Sequence, residues 1–299
     1  MRFKDRIQRT IRTPQLLGRG LNRLFHRRGG WRNHNTNGID LFSEDWDNCL
    51  LLDACPYDLF QSHNTIPGKL DSRTSRASAT VEFLESTVAG RDLRDTVYVT
   101  ANPLYERKND RVASEFHRVV KVYDEDGWDS DIRTVLPETM TDRVLSVAEN
   151  YPHKRLLAHY IQPHYPFLGP TADEHFDQDS LNIWDSIMEG NSDYSDDLLK
   201  KAFGETLDAV LPEVERAVDN LTGKTVVSAD HGQIIGDRAS PIPIKEYGHP
   251  RGIYIPELVE VPWLVRDGER REIVAEDSQE VETDSEVAAE RLRALGYAE

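Results

Sequence analysis

Cysteine is nearly absent: Cys49 and Cys55 are the only two in 299 residues. Two thiols make no disulfide framework, and their spacing does not suit a zinc knuckle, so they read as core thiols. No apolar run approaches the length of a membrane span, and no signal-peptide core is present. The expected location is therefore cytoplasmic. Lysine is scarce, 9 against 27 arginines, and the 36 basic residues are outnumbered by 53 acidic ones, for a formal charge of -17. So acidic a surface argues against nucleic acid as a partner.

The cations that are present are unevenly placed. Residues 1–33 hold ten Lys and Arg and one acid, a net of +9, which leaves -26 for the remainder. Phe3, Ile7 and Ile11, then Leu17, Leu21, Leu24 and Phe25, recur at helical spacing, with Pro14 between the two stretches. Residues 1–33 thus read as a basic amphipathic arm, with residues 34–299 as one domain. Such an arm suits peripheral contact with an anionic membrane, or a resting place on the acidic body of its own chain.

Along the body, strand patterns alternate with helical ones. "NCLLLDA" (48–54) is a continuous apolar run ending on Asp53, as in a strand buried on both faces. A helix is expected around 76–89, strands at 96–102 and 155–161, and helices over 137–150 and 196–220. Strands follow at "KTVVSAD" (224–230) and "VPWLVR" (261–266). This alternation predicts an α/β fold, a mainly parallel sheet sandwiched by helices. The acidic stretches 170–195 and 268–285 read as surface insertions.

In open parallel sheets, ligand-binding groups gather at the carboxyl ends of strands. Asp53 ends the first strand here, and Asp230 and His231 end another, with Gly232 to break it. His159 and His164 lie in and after "RLLAHYI", and His249 lies in the loop before the last strand. Oxygen and nitrogen donors without thiolate suit one divalent ion of Zn, Mn, Mg or Ca. The segment "DSRTSRASATVEFL" (71–84) is a hydroxyl-rich loop running into a helix, with Arg76 as a cation for a bound anion. A hydroxyl there can attack phosphorus or sulfur once a metal lowers its pKa, although Ser and Thr also start helices as simple caps.

The segment order resembles the alkaline phosphatase superfamily, particularly its sulfatase-like branch. "SRASAT" (75–80) is similar to the nucleophile segment Asp-Ser-Ala-Ala-Ser-Ala-Thr, "SADHG" to the metal-binding Asp-His, and "QPHYPF" to Asp-Pro-His-x-Pro-Tyr. "YGHP" falls where the family has Gly-His before its "VP" strand. The resemblance implies an alkaline phosphatase-like fold and a metal-dependent hydrolase or transferase of phosphate or sulfate esters. It implies Ser75 as the covalent nucleophile, with Thr74 as runner-up, and Asp53, Ser75, Asp230 and His231 as metal ligands. His164 and His249 would bind the substrate anion, and a second ion involving His249 stays open. The substrate would be an anionic ester, glycan- or lipid-linked. Formylglycine sulfatases need an Arg four residues after the modified position, and Ala79 stands there after Ser75. The alternatives are sulfate-ester hydrolysis on the same fold, or an inactive relative serving as a membrane-docked binding module. The acidic composition, with mean hydropathy -0.60 and pI near 5.0, also resembles proteins of salt-loving archaea.

Overall fold

The computed structural model describes residues 14–107, 112–124, 126–176, 183–275 and 285–296. The spacing at Phe3, Ile7 and Ile11 lies outside the described residues. So does the part of the 268–285 stretch beyond residue 275, apart from residue 285.

The described residues open with helix α1 (Pro14–His26) and enter the sheet at β1 (Asn48–Asp53), followed by α2 (Tyr57–His63) and β2 (Lys69–Thr74). A short helix α3 (Thr80–Phe83) runs on as a π-turn over Leu84–Val88 into β3 (Asp92–Thr100). Next come α4 (Leu104–Arg107), β4 (Glu115–Lys121), α5 (Pro137–Asn150) and β5 (Arg155–Pro163). Helices α6 (Pro170–His175), α7 (Ile183–Met188) and α8 (Asp196–Asn220) lead to β6 (Thr225–Ala229). A two-stranded ribbon, β7 (Ile234–Arg238) with β8 (Lys245–Gly248), precedes α9 (Pro256–Val259), β9 (Glu260–Arg266) and α10 (Ser285–Ala294).

The main sheet has seven strands in the order β2-β9-β6-β1-β5-β3-β4. Strand β9 alone runs against the others, pairing antiparallel with both β2 and β6. It is a mostly parallel sheet flanked by helices. The strand period of two explains the double cover. In β1, Leu50 and Leu52 pack into one apolar cluster with Val210 and Val214 of α8, while Cys49 and Leu51 pack into another with Phe83 and Leu84. Both cysteines are buried and free. Among the described residues no helix is long and apolar enough to cross a membrane.

Two strands escape the apolar pattern. β2, "KLDSRT", is an edge strand exposed or half-buried along its length, and β4 is the opposite edge. Edge strands keep polar side chains because one flank faces water. The 170–195 stretch is more than a surface insertion: Ala172, Phe176 and Ile183 join Tyr165, Phe167 and Phe203 in an apolar cluster of their own.

All the parallel strands end on one side, so Asp53 at the end of β1, Ala101–Asn102 after β3, His164 after β5 and Asp230–His231 after β6 share one edge.

Candidate functional site

Strand β1 stops abruptly. Its register against β5 shifts between Leu52 and Asp53, and Ala54 adopts φ 63°, a left-handed conformation that an alanine takes only when its surroundings hold it there. The holder is visible: the Ala54 N–H donates to Asp230 Oδ1 at 3.1 Å. Strand β6 breaks one residue after Ala229, where His231 N–H also donates to Asp230 Oδ1, at 2.8 Å. Gly232 serves close approach here, since a Cβ would lie 2.2 Å from the Glu257 carbonyl oxygen.

These breaks bring together Asp53, Asp230 and His231, all fully buried. His231 Nδ1 sits 2.8 Å from the Gly232 carbonyl, which can only accept, so Nε2 points into the cluster. Nε2 lies 3.6 Å from Asp53 Oδ1, 3.4 Å from Asp230 Oδ2 and 3.1 Å from the Thr80 hydroxyl oxygen. The Thr80 oxygen is in turn 3.3 Å from Asp53 Oδ1. Behind Asp230 stands His159, a β5 residue whose Nδ1 meets the Tyr98 hydroxyl at 3.0 Å and whose Nε2 lies 3.6 Å from Asp230 Oδ2. Asp53, His159 and Asp230 place one donor atom each within 4.8 Å of one another.

The carboxylates feel their burial differently. Burial first, and then the charge of Asp230, push the Asp53 carboxyl well above its usual range, against hydrogen bonds from Asn102 at 2.6 Å and from Thr80. Burial also acts to raise Asp230, but His231, His159 and the Ala54 N–H together hold it below the usual range.

The donor set fits a divalent cation. Two buried atoms, Asp230 Oδ2 and His159 Nε2, have no hydrogen-bond partner. Ligands at about 2.0–2.1 Å from a tetrahedral ion stand roughly 3.3 Å apart. The spacings from His231 Nε2 to Thr80, Asp230 and Asp53, 3.1–3.6 Å, and from Thr80 to Asp53, 3.3 Å, match such edges.

The other expected residues fall in different places. The Ser75 hydroxyl donates to the Asp230 main-chain carbonyl and accepts from Ala77 N–H at 3.1 Å. A crossing loop pins its backbone: Asn35 Nδ2 donates to the Ser75 carbonyl at 2.9 Å, and a Cβ on Gly38 would lie 2.5 Å from the Ser75 carbonyl carbon. Thr74 lies in β2, its carbonyl accepting from Ile39 N–H at 2.9 Å. Arg76 turns to the Ser86 carbonyl, 3.3 Å, and to Asp40, 3.6 Å. His164 and His249 do meet, with ring centroids 5.0 Å apart, and His249 lies 4.8 Å from the His231 ring. Burial, foremost, lowers both; His164 falls to about 4 despite its bond to the Tyr165 carbonyl, and His249 goes well below its usual value.

These two histidines line a cavity of about 460 Å³ whose guanidinium groups come from Arg19, Arg23 and Arg251 rather than from Arg76. Trp184 and Tyr247 supply aromatic walls. Sequence reasoning assigned no role to Asn102, Arg19 or Arg23, and it left Thr80 and His159 among several candidates. The one available signal was the hydroxyl at the start of the helix, which Thr80 supplies as well as Ser75.

No protein-family model matches the chain, and no curated protein does. Among solved structures it is similar to the integral membrane lipooligosaccharide phosphoethanolamine transferase A of Neisseria meningitidis: 11% identity, TM-score 0.44, over 74% of this chain and 47% of that one. It is also similar to a Vibrio parahaemolyticus protein of the alkaline phosphatase superfamily, with 13% identity and TM-score 0.42 over 81% of this chain and 64% of that one. A third is the C-terminal periplasmic domain of a Campylobacter jejuni phosphoethanolamine transferase, with 11% identity and TM-score 0.42 over 74% and 78%. These neighbours are phosphoethanolamine transferases and an alkaline phosphatase superfamily protein. The chain spans about half the length of the Neisseria protein and under two thirds of the Vibrio one. At 11–13% identity the likeness is one of fold and assigns no residue a role.

Proposed function

We propose that this chain is a metal-dependent hydrolase or transferase of phosphate esters that works through a covalent intermediate on Thr80. The observation that carries the reading is the set of four buried donors, Asp53, Thr80, Asp230 and His231: His231 Nε2 lies 3.1–3.6 Å from the other three, and the Thr80 oxygen lies 3.3 Å from Asp53 Oδ1. Asp53, Asp230 and His231, with His159 beside them, would hold the ion. Bound there, a divalent cation lowers the pKa of a nearby hydroxyl and offsets negative charge on a phosphoryl group.

The Thr80 oxygen attacks phosphorus, an O–P bond forms, and the bond from phosphorus to the leaving oxygen breaks. The Thr80 proton has an acceptor in the Asp53 carboxylate, whose oxygens lie at 3.3 and 3.4 Å. His164 and His249, neutral in the empty pocket, gain protons as a dianion arrives between them, and each then donates to the phosphoryl or leaving oxygen. Water, or the hydroxyl of an acceptor, attacks the phosphothreonine next and restores Thr80. Ser75 holds the turn that presents Thr80, through the Asp230 carbonyl and the Ala77 N–H.

Metal analysis, with turnover of an aryl phosphate and an aryl sulfate, tests the class of reaction. Phosphate turnover that needs the ion supports it, turnover of sulfate alone points to a sulfate-ester hydrolase, and absence of both metal and turnover leaves a binding module. Thr80→Ala should lose at least ~100-fold in kcat with the fold intact, and Ser75→Ala less than ~10-fold. Tryptic cleavage after Arg76 separates the two hydroxyls, so a trapped phosphopeptide containing Ser75 would return the nucleophile to that residue.

A further inference from the structure

Exposed apolar side chains are concentrated at one place. Leu17 (56% exposed), Leu21, Leu24, Phe25 (62%) and Trp31 (92%) all lie in or just after α1, and Val274 is the one other exposed large hydrophobic residue among those described. Leu17, Leu21, Leu24 and Phe25 recur at i, i+4, i+7 and i+8, a single stripe on the helix.

The helix cannot turn that stripe inward, because its opposite side is fastened to the body. A Cβ on Gly18 would meet Ile244 at 2.7 Å, so the helix backbone already lies against the loop before β8. Asn22 bonds both the carbonyl (2.9 Å) and the N–H (2.8 Å) of Ile242. Arg19 pairs with buried Glu246, and Arg27 with buried Glu82 at 2.9 Å. Arg23 Nε donates to the Arg251 carbonyl at 2.7 Å. The stripe is therefore displayed outward, with Arg28 and Arg32 beside it. Leu21, Leu24, Phe25, His26, Arg28 and Arg32 share the wall of a groove of about 860 Å³.

Charge decides what covers it. Residues 1–33 carry +9 and the rest of the chain -26, so an anionic surface attracts this end and repels the remainder. A second copy would oppose two basic segments and two acidic bodies. We propose that α1 and the turn through Trp31 form an interfacial anchor that seats on an anionic lipid bilayer. The Leu17–Leu21–Leu24–Phe25 stripe enters the headgroup–acyl boundary while Arg28 and Arg32 meet lipid phosphates. Nothing in this assignment depends on the chemistry proposed for Thr80.

The test is co-sedimentation of the full chain with vesicles of phosphatidylglycerol and phosphatidylcholine, against pure phosphatidylcholine, at about 0.1 M salt. Binding should favour the anionic vesicles by at least ~10-fold and weaken as salt is raised. The double variant Leu21→Glu, Phe25→Glu should lose it by at least ~10-fold with an unchanged melting temperature and aryl phosphate turnover. Arg28→Glu with Arg32→Glu should lose the preference for anionic lipid and serves if the first pair fails to fold. Equal partitioning of wild type and both variants would overturn the proposal. So would sedimentation equilibrium showing a dimer that Leu21→Glu, Phe25→Glu dissolves, which would hand the stripe to a second copy.

Discussion

Replacing Asp53 by Asn should strengthen the metal-free fold while destroying its hold on the ion. Asp53 and Asp230 are both fully buried, with carboxylate oxygens no more than 4.8 Å apart. At an effective dielectric constant near 20 their repulsion is about 3 kcal/mol. The metal-free protein relieves it by keeping a proton on Asp53, whose carboxyl is pushed well above its usual range by burial and then by Asp230. A raised folded pKa contributes stability that is complete below the unfolded value, near 4, and fades as pH rises through the folded value. In chelator, the Asp53 share of wild-type stability should thus decline from about pH 4 upward, read as a lead of the Asn variant over wild type that grows with pH. The amide keeps the local bonds, its oxygen accepting from Asn102 and its NH2 donating to Thr80, at contacts now of 2.6 and 3.3–3.4 Å. Calorimetry in chelator at alkaline pH should put the variant roughly 5–10 °C above wild type. With zinc added, wild type should rise with ion concentration and the variant should not move. A variant that melts lower in chelator, yet still gains from zinc, would refute the reasoning.

His164 holds a proton only below about pH 4 when folded but near pH 6.5 when unfolded, so its share of stability, about 3 kcal/mol, is present above pH 6.5 and lost as pH falls to 4. Urea midpoints in chelator at pH 7.5 and 5 should show this slope, and His164→Gln should flatten it. Arg27→Ala strips buried Glu82 of the nearer of its two cations and should cost about 2 kcal/mol by urea denaturation; no change would mean that the pair is idle. Leu51→Ala, in the central strand, should cost about 2–5 kcal/mol and lower the melting temperature without altering metal affinity.

The central sheet was legible because β1, β5 and β6 are buried on both faces and had to be written in apolar residues. Edge strand β2 carries no such demand, so its polar sequence reads as part of a hydroxyl-rich loop. That Asp53, Asp230 and His231 sit together was legible from strand ends alone, since parallel strands finish on one side. The choice among hydroxyls was not. Ser75 and Thr80 are five residues apart, and the loop at Asn35–Gly38 lies across Ser75 while Thr80 meets Asp53, contacts that no local pattern announces. Arg19 and Arg23 were hidden for the same reason, because they reach Glu246 and Arg251 across more than two hundred residues of chain.

Glu82 ties these distant parts to each other. It is buried, accepts from the Ser78 N–H and hydroxyl at 3.0 and 3.1 Å, and accepts from Arg27 and Tyr254 at 2.9 Å each. Helix α1 thus grips the turn that carries Thr80, and its Arg19 and Arg23 also stand in the pocket wall. Whatever steadies α1 from outside would steady the turn that carries Thr80 from behind, and the two proposed binding events would then share one free energy. By reciprocity, any factor by which vesicles tighten the pocket's hold on phosphate is the factor by which phosphate tightens the hold on vesicles. Titrating each in the presence and absence of the other should return one ratio, and Arg27→Ala should bring that ratio closer to unity.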